Sequence, residues 1–127
     1  MDRGTAWEKC GTRSATQAEV GDGIVLCPVV LAELWYGVFR SRPTWRSTNE
    51  AIVQQLQAKY SSAPFDDVAA VDAGLIRSDL AAIGQIIGPH DLLIAAIART
   101  QSLTLVTHNT AEFSRVTNLT IEDWQLP

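Results

Sequence analysis

Two predicted helices are apolar around most of their circumference, and this feature limits the possible folds more than any other. One helix covers residues 29–40 and the other covers residues 91–100. A helix on a protein surface has an apolar stripe opposite a polar face, whereas a helix that lacks a polar face packs on several sides. We therefore expect both helices to be sandwiched between other elements of one core.

Short apolar runs alternate with the predicted helices along the chain. Residues 24–27 and 103–107 are typical of buried strands, and residues 119–121 indicate an edge strand. Further helices are predicted over residues 44–60 and 68–82. Parallel strands require connections long enough to hold a helix. The pattern therefore predicts an α/β fold, specifically a three-layer α/β/α sandwich around a mainly parallel sheet.

The amino-terminal segment differs from the rest of the chain. Residues 1–23 mix Gly, Thr, Ser and charged residues, and they offer at most a short helix over residues 14–20. Residues 24–127 form the predicted domain, since the total length of 127 residues suits a single core. In the predicted helix over residues 68–82, we expect Val71, Leu75 and Leu80 to face this core.

Charge and cysteine content exclude several classes of protein. Ten Lys and Arg residues against fourteen Asp and Glu residues give a net charge of −4, which excludes a uniformly basic nucleic-acid-binding surface. Cys10 and Cys27 lack the spacing of a zinc site and are interpreted as free thiols in a reducing cytoplasm. An apolar run long enough to cross a membrane is missing, so no membrane association is expected.

Each of the two apolar helices carries one carboxylate that needs a partner. Glu33 lies in the first helix and Asp91 in the first turn of the second. A buried charge without a partner is costly, so each requires a cation, hydrogen-bond donors or water. Arg40 and Arg99, the nearest basic residues in sequence, lie about two helical turns away. Asp91 also has a purely structural interpretation, because the helix dipole favours a carboxylate in the first turn.

A third polar cluster follows the predicted strand over residues 103–107. His108, Asn109 and Glu112 leave the carboxyl end of this strand, where ligands bind in open α/β sheets. Asn109 and Glu112 also fit a capping box, which is a structural alternative. The sequence leaves open whether the loop over residues 84–90 brings Asp91 to the same edge.

Other polar residues have solvated interpretations. His90 and His108 lack a metal-ligand spacing and are interpreted as solvated loop histidines. A basic stretch with an interleaved aromatic residue suits a solvated helix end, with phosphate or peptide binding as the alternatives. This stretch contains Arg40, Arg42, Trp45 and Arg46. A glycine-rich phosphate loop is missing, which disfavours a nucleotide-binding domain.

Four segments, taken together, resemble VapC-type PIN-domain toxins over about residues 24 to 124. In chain order they are LAELWYG (31–37), IGPHDLLIAA (87–96), LVTHNTAEF (105–113) and IEDW (121–124). The resemblance implies a small cytoplasmic endoribonuclease that cleaves RNA with Mg²⁺ or Mn²⁺. It also implies inhibition by a cognate VapB-type antitoxin, and a homodimer.

The resemblance also assigns candidate catalytic and metal-binding residues. Glu33 matches the second acidic residue of the family and Asp91 the third. Asn109 or Glu112 matches the fourth. Carboxylate and water oxygens are the ligands that hard divalent cations prefer, and such a cation can activate water for attack on a phosphodiester.

One family feature is not found in this sequence. Members begin with an apolar strand in the middle of the sheet that ends in an acidic residue, and residues 1–23 do not match it. We therefore expect the first strand and first acidic motif to be missing and the activity to be reduced. The alternative is a catalytically inactive PIN-like module that binds an antitoxin through a groove near Trp35, Tyr36 and residues 40–46.

Overall fold

Four short strands form one sheet in the computed structural model, which describes residues 11–14 and 24–124. They are β1 (Gly11–Ser14), β2 (Ile24–Val25), β3 (Leu103–Val106) and β4 (Ile121–Glu122), arranged in the order β2-β1-β3-β4. β1 is antiparallel to both of its neighbours, and β3 pairs with β4 in parallel. Three of the four strands consequently run in one direction, as the predicted sheet requires, and β1 runs in the opposite direction.

The middle of the sheet is the main difference from the sequence prediction. Thr12 pairs with Leu105 on one side and with Val25 on the other, so residues 11–14 fill the position between β2 and β3. An antiparallel strand satisfies the backbone N–H and C=O groups of both neighbours as completely as a parallel one. No strand was predicted there, because a run with Gly and Arg lacks the apolar pattern of a buried strand. Of the helix predicted over residues 14–20, Ser14 belongs to β1 and the remainder lies outside the described residues.

The described residues contain five helices, and the four that were predicted begin and end within about two residues of their predicted bounds. The five are α1 (Pro28–Arg40), α2 (Pro43–Lys59), α3 (Asp67–Ala82), α4 (Pro89–Thr100) and α5 (Thr110–Phe113). Three of them begin with proline, which has no N–H to leave unpaired in the first turn. The side chain of Asp66 caps α3 by accepting a hydrogen bond from the backbone N–H of Ala69 at 3.0 Å. In the described part of the chain, no helix combines the length and apolar character that a membrane span requires.

Helix α4 is the centre of the core, and its predicted burial is confirmed. It packs against α1, α3 and β3, and its residues 94–98 are at most 4 % exposed. Helix α1 is buried on one side only, where it packs against α2 and α4. Tyr36 and Phe39 on its other side are 66 % and 59 % exposed. The expectation that α1 is covered all round is therefore wrong, and an aromatic face remains accessible.

The predicted inward face of α3 is wrong for two of its three residues. Leu80 is buried, but Val71 and Leu75 are 75 % and 52 % exposed. The face that packs against α4 consists of Ala69, Ala73, Ile76 and Leu80. Small alanines allow the two helices to approach closely. The sequence of α3 contains two apolar stripes, and periodicity alone does not show which of them is buried. The second stripe, which we call the α3 stripe (Val68, Val71 and Leu75), faces solvent.

A largely buried ion pair joins α3 to α4. The Arg99 guanidinium donates to both carboxylate oxygens of Asp72, at 2.7 and 3.0 Å, and to the backbone carbonyl of Thr117 at 3.0 Å. Both charged side chains are 16 % exposed. Arg99 therefore pairs with a residue far away in sequence, in line with the prediction that it is a poor local partner for Asp91.

Candidate active site

Two carboxylates meet at the loop that leads into α4. The backbone N–H of Gly88 donates to Glu112 Oε1 at 3.3 Å, and a Cβ atom on Gly88 would lie 3.6 Å from Asp91 Oδ2. The side chain of Asp91 is also within hydrogen-bonding reach of Glu112. The loop over residues 84–88 thus brings Asp91 to the end of β3 where Glu112 lies, a point that the sequence left open.

Asn109 joins this pair in a different way from the predicted capping box. Its side chain makes no cap hydrogen bond to α5. Instead, Asn109 Nδ2 donates to Glu112 Oε2 at 3.2 Å, while its backbone N–H donates to Thr107 Oγ1. Gly88 and Asn109 therefore hold both oxygens of the Glu112 carboxylate, and they fix its orientation beside Asp91.

The hydrogen bonds around Glu112 favour its ionised form. The Asn109 amide makes the largest contribution to lowering the pKa of Glu112 below its ordinary value of 4.5, followed by the Gly88 backbone N–H. Partial burial acts in the opposite direction, and Arg115 lowers the pKa further. Glu112 is consequently a carboxylate at neutral pH.

We expect an NMR titration of Glu112 to have a midpoint below 4.5. Because its pKa is lowered on folding, Glu112 stabilises the protein above its unfolded-state pKa, and this contribution is lost as the pH falls through the folded-state pKa. Asn109→Ala removes the largest cause and should raise the midpoint towards 4.5, whereas the neighbouring Thr110→Ala should leave it unchanged. An unchanged midpoint in Asn109→Ala would contradict this account.

Glu33 lies beside this cluster, on the adjacent helix. Its Oε2 atom is 3.3 Å from Nδ1 of His90, the residue that precedes Asp91 in α4. The side chains of Glu33 and His90 are 40 % and 65 % exposed. Glu33 is therefore connected to the Asp91 turn through His90. The exposure predicted for His90 is confirmed, but its contact with Glu33 was not predicted.

The donor set can be compared with the needs of a divalent cation. Within the described residues, no group of three or more His, Cys, Asp or Glu side chains is close enough to hold a metal ion. What the structure brings together is the carboxylate pair of Asp91 and Glu112 with the amide of Asn109. Mg²⁺ prefers oxygen ligands, keeps several water molecules, and is commonly held by one or two carboxylates. The chemistry of this donor set therefore fits Mg²⁺.

The remaining polar candidates have partners of their own in the fold. His108 is exposed, as predicted, and its Nδ1 atom is 3.2 Å from Asp123 Oδ2, which connects the ends of β3 and β4. Arg46 donates to the Phe39 carbonyl at 2.7 Å and so satisfies the carboxyl end of α1, the structural role predicted for the basic stretch. Gly88 was missed by sequence reasoning, although a glycine immediately before a helix-starting proline is a visible signal.

Comparison with known proteins shows the family. The model of the PIN domain matches residues 11–119, beginning at the first residue of β1. The tRNA(fMet)-specific endonuclease VapC of Shigella flexneri is 41 % identical over 96 residues, which is 76 % of this chain and 71 % of that protein. Ribonuclease VapC2 of Rickettsia felis is 37 % identical over 101 residues, covering 80 % and 74 % of the two chains. This chain belongs to the VapC-type PIN-domain family.

Solved VapC-type structures agree with the fold. The VapBC2 complex of Rickettsia felis bound to a promoter DNA fragment has a TM-score of 0.73 at 36 % identity, and the match covers 79 % of this chain and 74 % of that one. VapBC-1 of nontypeable Haemophilus influenzae has a TM-score of 0.74 at 28 % identity, covering 80 % and 75 %. The predicted family and the predicted α/β fold class are both confirmed.

Proposed function

We propose that this VapC-type chain is a divalent-metal-dependent endoribonuclease toxin that acts in the cytoplasm. The observation that carries the proposal is the carboxylate pair of Asp91 and Glu112 at the loop into α4. Its relatives from Shigella flexneri and Rickettsia felis are named as an endonuclease and a ribonuclease. RNA is the proposed substrate, and the test is metal-dependent cleavage of single-stranded RNA compared with the Asp91→Asn variant.

Mg²⁺ or Mn²⁺ is the proposed cofactor. Asp91 and Glu112 would hold it directly, with the Asn109 amide oxygen or a water molecule beside them, and Glu33 would contribute from α1 through water. When bound, such an ion polarises a phosphodiester and lowers the pKa of bound water.

The protein groups around the site prepare it for a cation. The Gly88 N–H and the Asn109 amide keep Glu112 ionised and hold it in one orientation. A carboxylate held in its ionised form and in a fixed orientation is a suitable oxygen ligand for a divalent cation. The Glu33 side chain is 40 % exposed, so a water molecule from the solvent can reach it.

The second candidate is a catalytically inactive PIN-like module that binds a cognate antitoxin. It is favoured by the lack of a group of three carboxylates within the described residues. Reduced activity is the intermediate case, in which the carboxylate pair binds metal weakly because the described part of the chain brings no third acidic side chain to it. The inactive module would co-purify with the product of an adjacent small gene and would leave RNA intact at every metal concentration.

We propose a VapB-type antitoxin as the protein partner, bound at the turn between α1 and α2. Exposed aromatic rings and guanidinium groups are typical of protein interfaces. This turn carries Phe39 and Trp45, which are 59 % and 60 % exposed, together with exposed Arg40 and Arg42. The Rickettsia felis and Haemophilus influenzae structures are VapBC complexes, which supports the same kind of partner here.

We also propose a homodimer that buries the α3 stripe. Exposed valines and leucines in one stripe are costly in water and are expected to be covered. Light scattering during size-exclusion chromatography should give twice the chain mass of 13.8 kDa. Val71→Glu should shift the protein to monomer by placing a charge within the stripe, whereas Ala70→Glu, at an exposed position outside it, should not. A monomeric unmodified protein would contradict the proposal.

A further inference from the structure

A cavity opens between α1 and α4, and two of the residues that line it, Glu33 and His90, adjoin the candidate active site. The volume of the cavity is about 330 Å³ and its floor is aliphatic, formed by Val29, Ala32 and Leu93. Tyr36 and His90 line it as well, and Glu33 lies at its edge. We call this the α1–α4 cavity. Its size is at the lower end of the range for small-ligand pockets, so it suits a single planar ring system.

We propose that the α1–α4 cavity binds one unpaired nucleobase of the RNA next to the phosphodiester that is cleaved. The inference rests on the proposed ribonuclease function and adds a subsite for the substrate. Sequence-specific proteins bind single-stranded RNA by stacking unpaired bases on aromatic or histidine side chains. Tyr36 is 66 % exposed and the His90 side chain is 65 % exposed, so both rings are accessible for stacking.

The cavity is continuous with the proposed catalytic groups. Glu33 lines the cavity and contacts His90, and the residue after His90 is Asp91. A base in the cavity would therefore place its own phosphate on the side of the candidate active site where Glu33 and His90 lie. This continuity distinguishes the cavity from an apolar surface elsewhere on the molecule, where bound RNA would be remote from the acidic groups.

The same face of α1 continues to a positive charge. Residues 29, 33, 36 and 40 are spaced at three to four positions and lie along one side of the helix. Arg40 follows Glu33 by two helical turns, or about 10 Å. Arg40 is exposed, and it is close enough to bind a phosphate further along the bound RNA. The face thus presents, in order, a carboxylate, a stacking ring and a phosphate-binding cation.

A peptide side chain is the alternative occupant, and the observations favour the base. An aliphatic side chain would contact the cavity floor but would gain nothing from the two rings that flank it. The other aromatic residues of α1 are arranged differently. Trp35 and Phe39 stack on each other at 5.7 Å, and Trp35 Nε1 donates to Gln57, so this pair lies outside the cavity and remains for the antitoxin.

The test is a binding measurement that does not depend on cleavage. The Asp91→Asn protein is titrated into a fluorescent eight-nucleotide RNA, and an abasic residue is then placed at each position in turn. We expect one abasic position to weaken binding by about 10-fold, and Tyr36→Ala to weaken binding of the intact RNA by a similar factor. In the Tyr36→Ala protein, the abasic position should have no further effect. Tyr36→Phe keeps the ring and should restore binding.

Phe39→Ala is the matched control, because Phe39 is similarly exposed on the same helix but lies outside the cavity. Equal effects of Tyr36→Ala and Phe39→Ala would overturn the proposal, as would equal affinity for every abasic RNA or a lack of binding. Loss of antitoxin affinity in Tyr36→Ala with unchanged RNA binding would identify a peptide site and would also overturn it.

A cleavage assay of the unmodified protein distinguishes failure of the nucleobase proposal from failure of the ribonuclease proposal. If that protein cleaves RNA, Tyr36→Ala should raise KM by about 10-fold with little change in kcat. If it does not cleave but shows the base-dependent binding described above, the ribonuclease function fails and the nucleobase site stands.

Discussion

Asp91→Asn is expected to reduce cleavage of single-stranded RNA by on the order of 100-fold or more, since it removes one of the two carboxylates proposed to hold the metal. Asn keeps the size of the side chain and its place in the first turn of α4, so circular dichroism should show an unchanged fold. The measurement is the single-turnover rate with Mg²⁺ or Mn²⁺, followed by addition of EDTA, which should stop cleavage by the unmodified protein.

Asp79→Asn is the control for this experiment. Asp79 is an exposed carboxylate on α3 outside the candidate active site. Its replacement by Asn makes the same change in net charge as Asp91→Asn. We expect its cleavage rate to match that of the unmodified protein. Equal rates for Asp91→Asn and the unmodified protein would eliminate the metal-dependent nuclease proposal.

Arg99→Met is expected to cause the largest loss of stability among the substitutions considered, about 3 kcal/mol in the free energy of unfolding. The change leaves the Asp72 carboxylate largely buried without its two hydrogen bonds from the guanidinium. For a chain of this length, the loss corresponds to a melting temperature lower by about 10 °C. Thermal denaturation followed by circular dichroism measures it directly.

Two further variants isolate the ion pair. Arg77→Met removes an exposed arginine from α3 and should change the melting temperature little. The double variant Arg99→Met/Asp72→Leu should recover part of the loss, because it removes the unpaired charge together with its former partner. If Arg99→Met were as stable as Arg77→Met, the ion pair would contribute nothing to the fold.

The sequence predicted most of the fold because the helices have strong local signals. The apolar runs of α1 and α4 and the apolar stripe of α2 locate these helices to within about two residues, and each begins with a proline. Burial was harder to predict. In α3, the buried stripe contains Ala69 and Ala73, which are less hydrophobic than the exposed Val71 and Leu75. Close packing of small residues against α4 determines which face of α3 is buried. This is a tertiary effect, and the periodicity of the sequence does not predict it.

The candidate site was predicted less completely than the fold. Asp91, Asn109 and Glu112 were named from the sequence and lie together around Gly88. Their hydrogen bonds were not predicted, because Gly88 and Glu112 are separated by 24 positions in the chain and meet only through tertiary structure. Glu33 was also named, but its link to the site through His90 depends on how α1 packs against α4.

The reversed strand β1 has a consequence for the geometry of the acidic residues. Glu33 belongs to the helix that follows β2, whereas Glu112 belongs to the helix that follows β3, and β1 is the strand that separates β2 from β3. Residues 11–14 therefore separate the two helices that carry Glu33 and Glu112. The width of this one strand contributes to the distance between the two acidic side chains. None of the four proposed ligands lies on that strand.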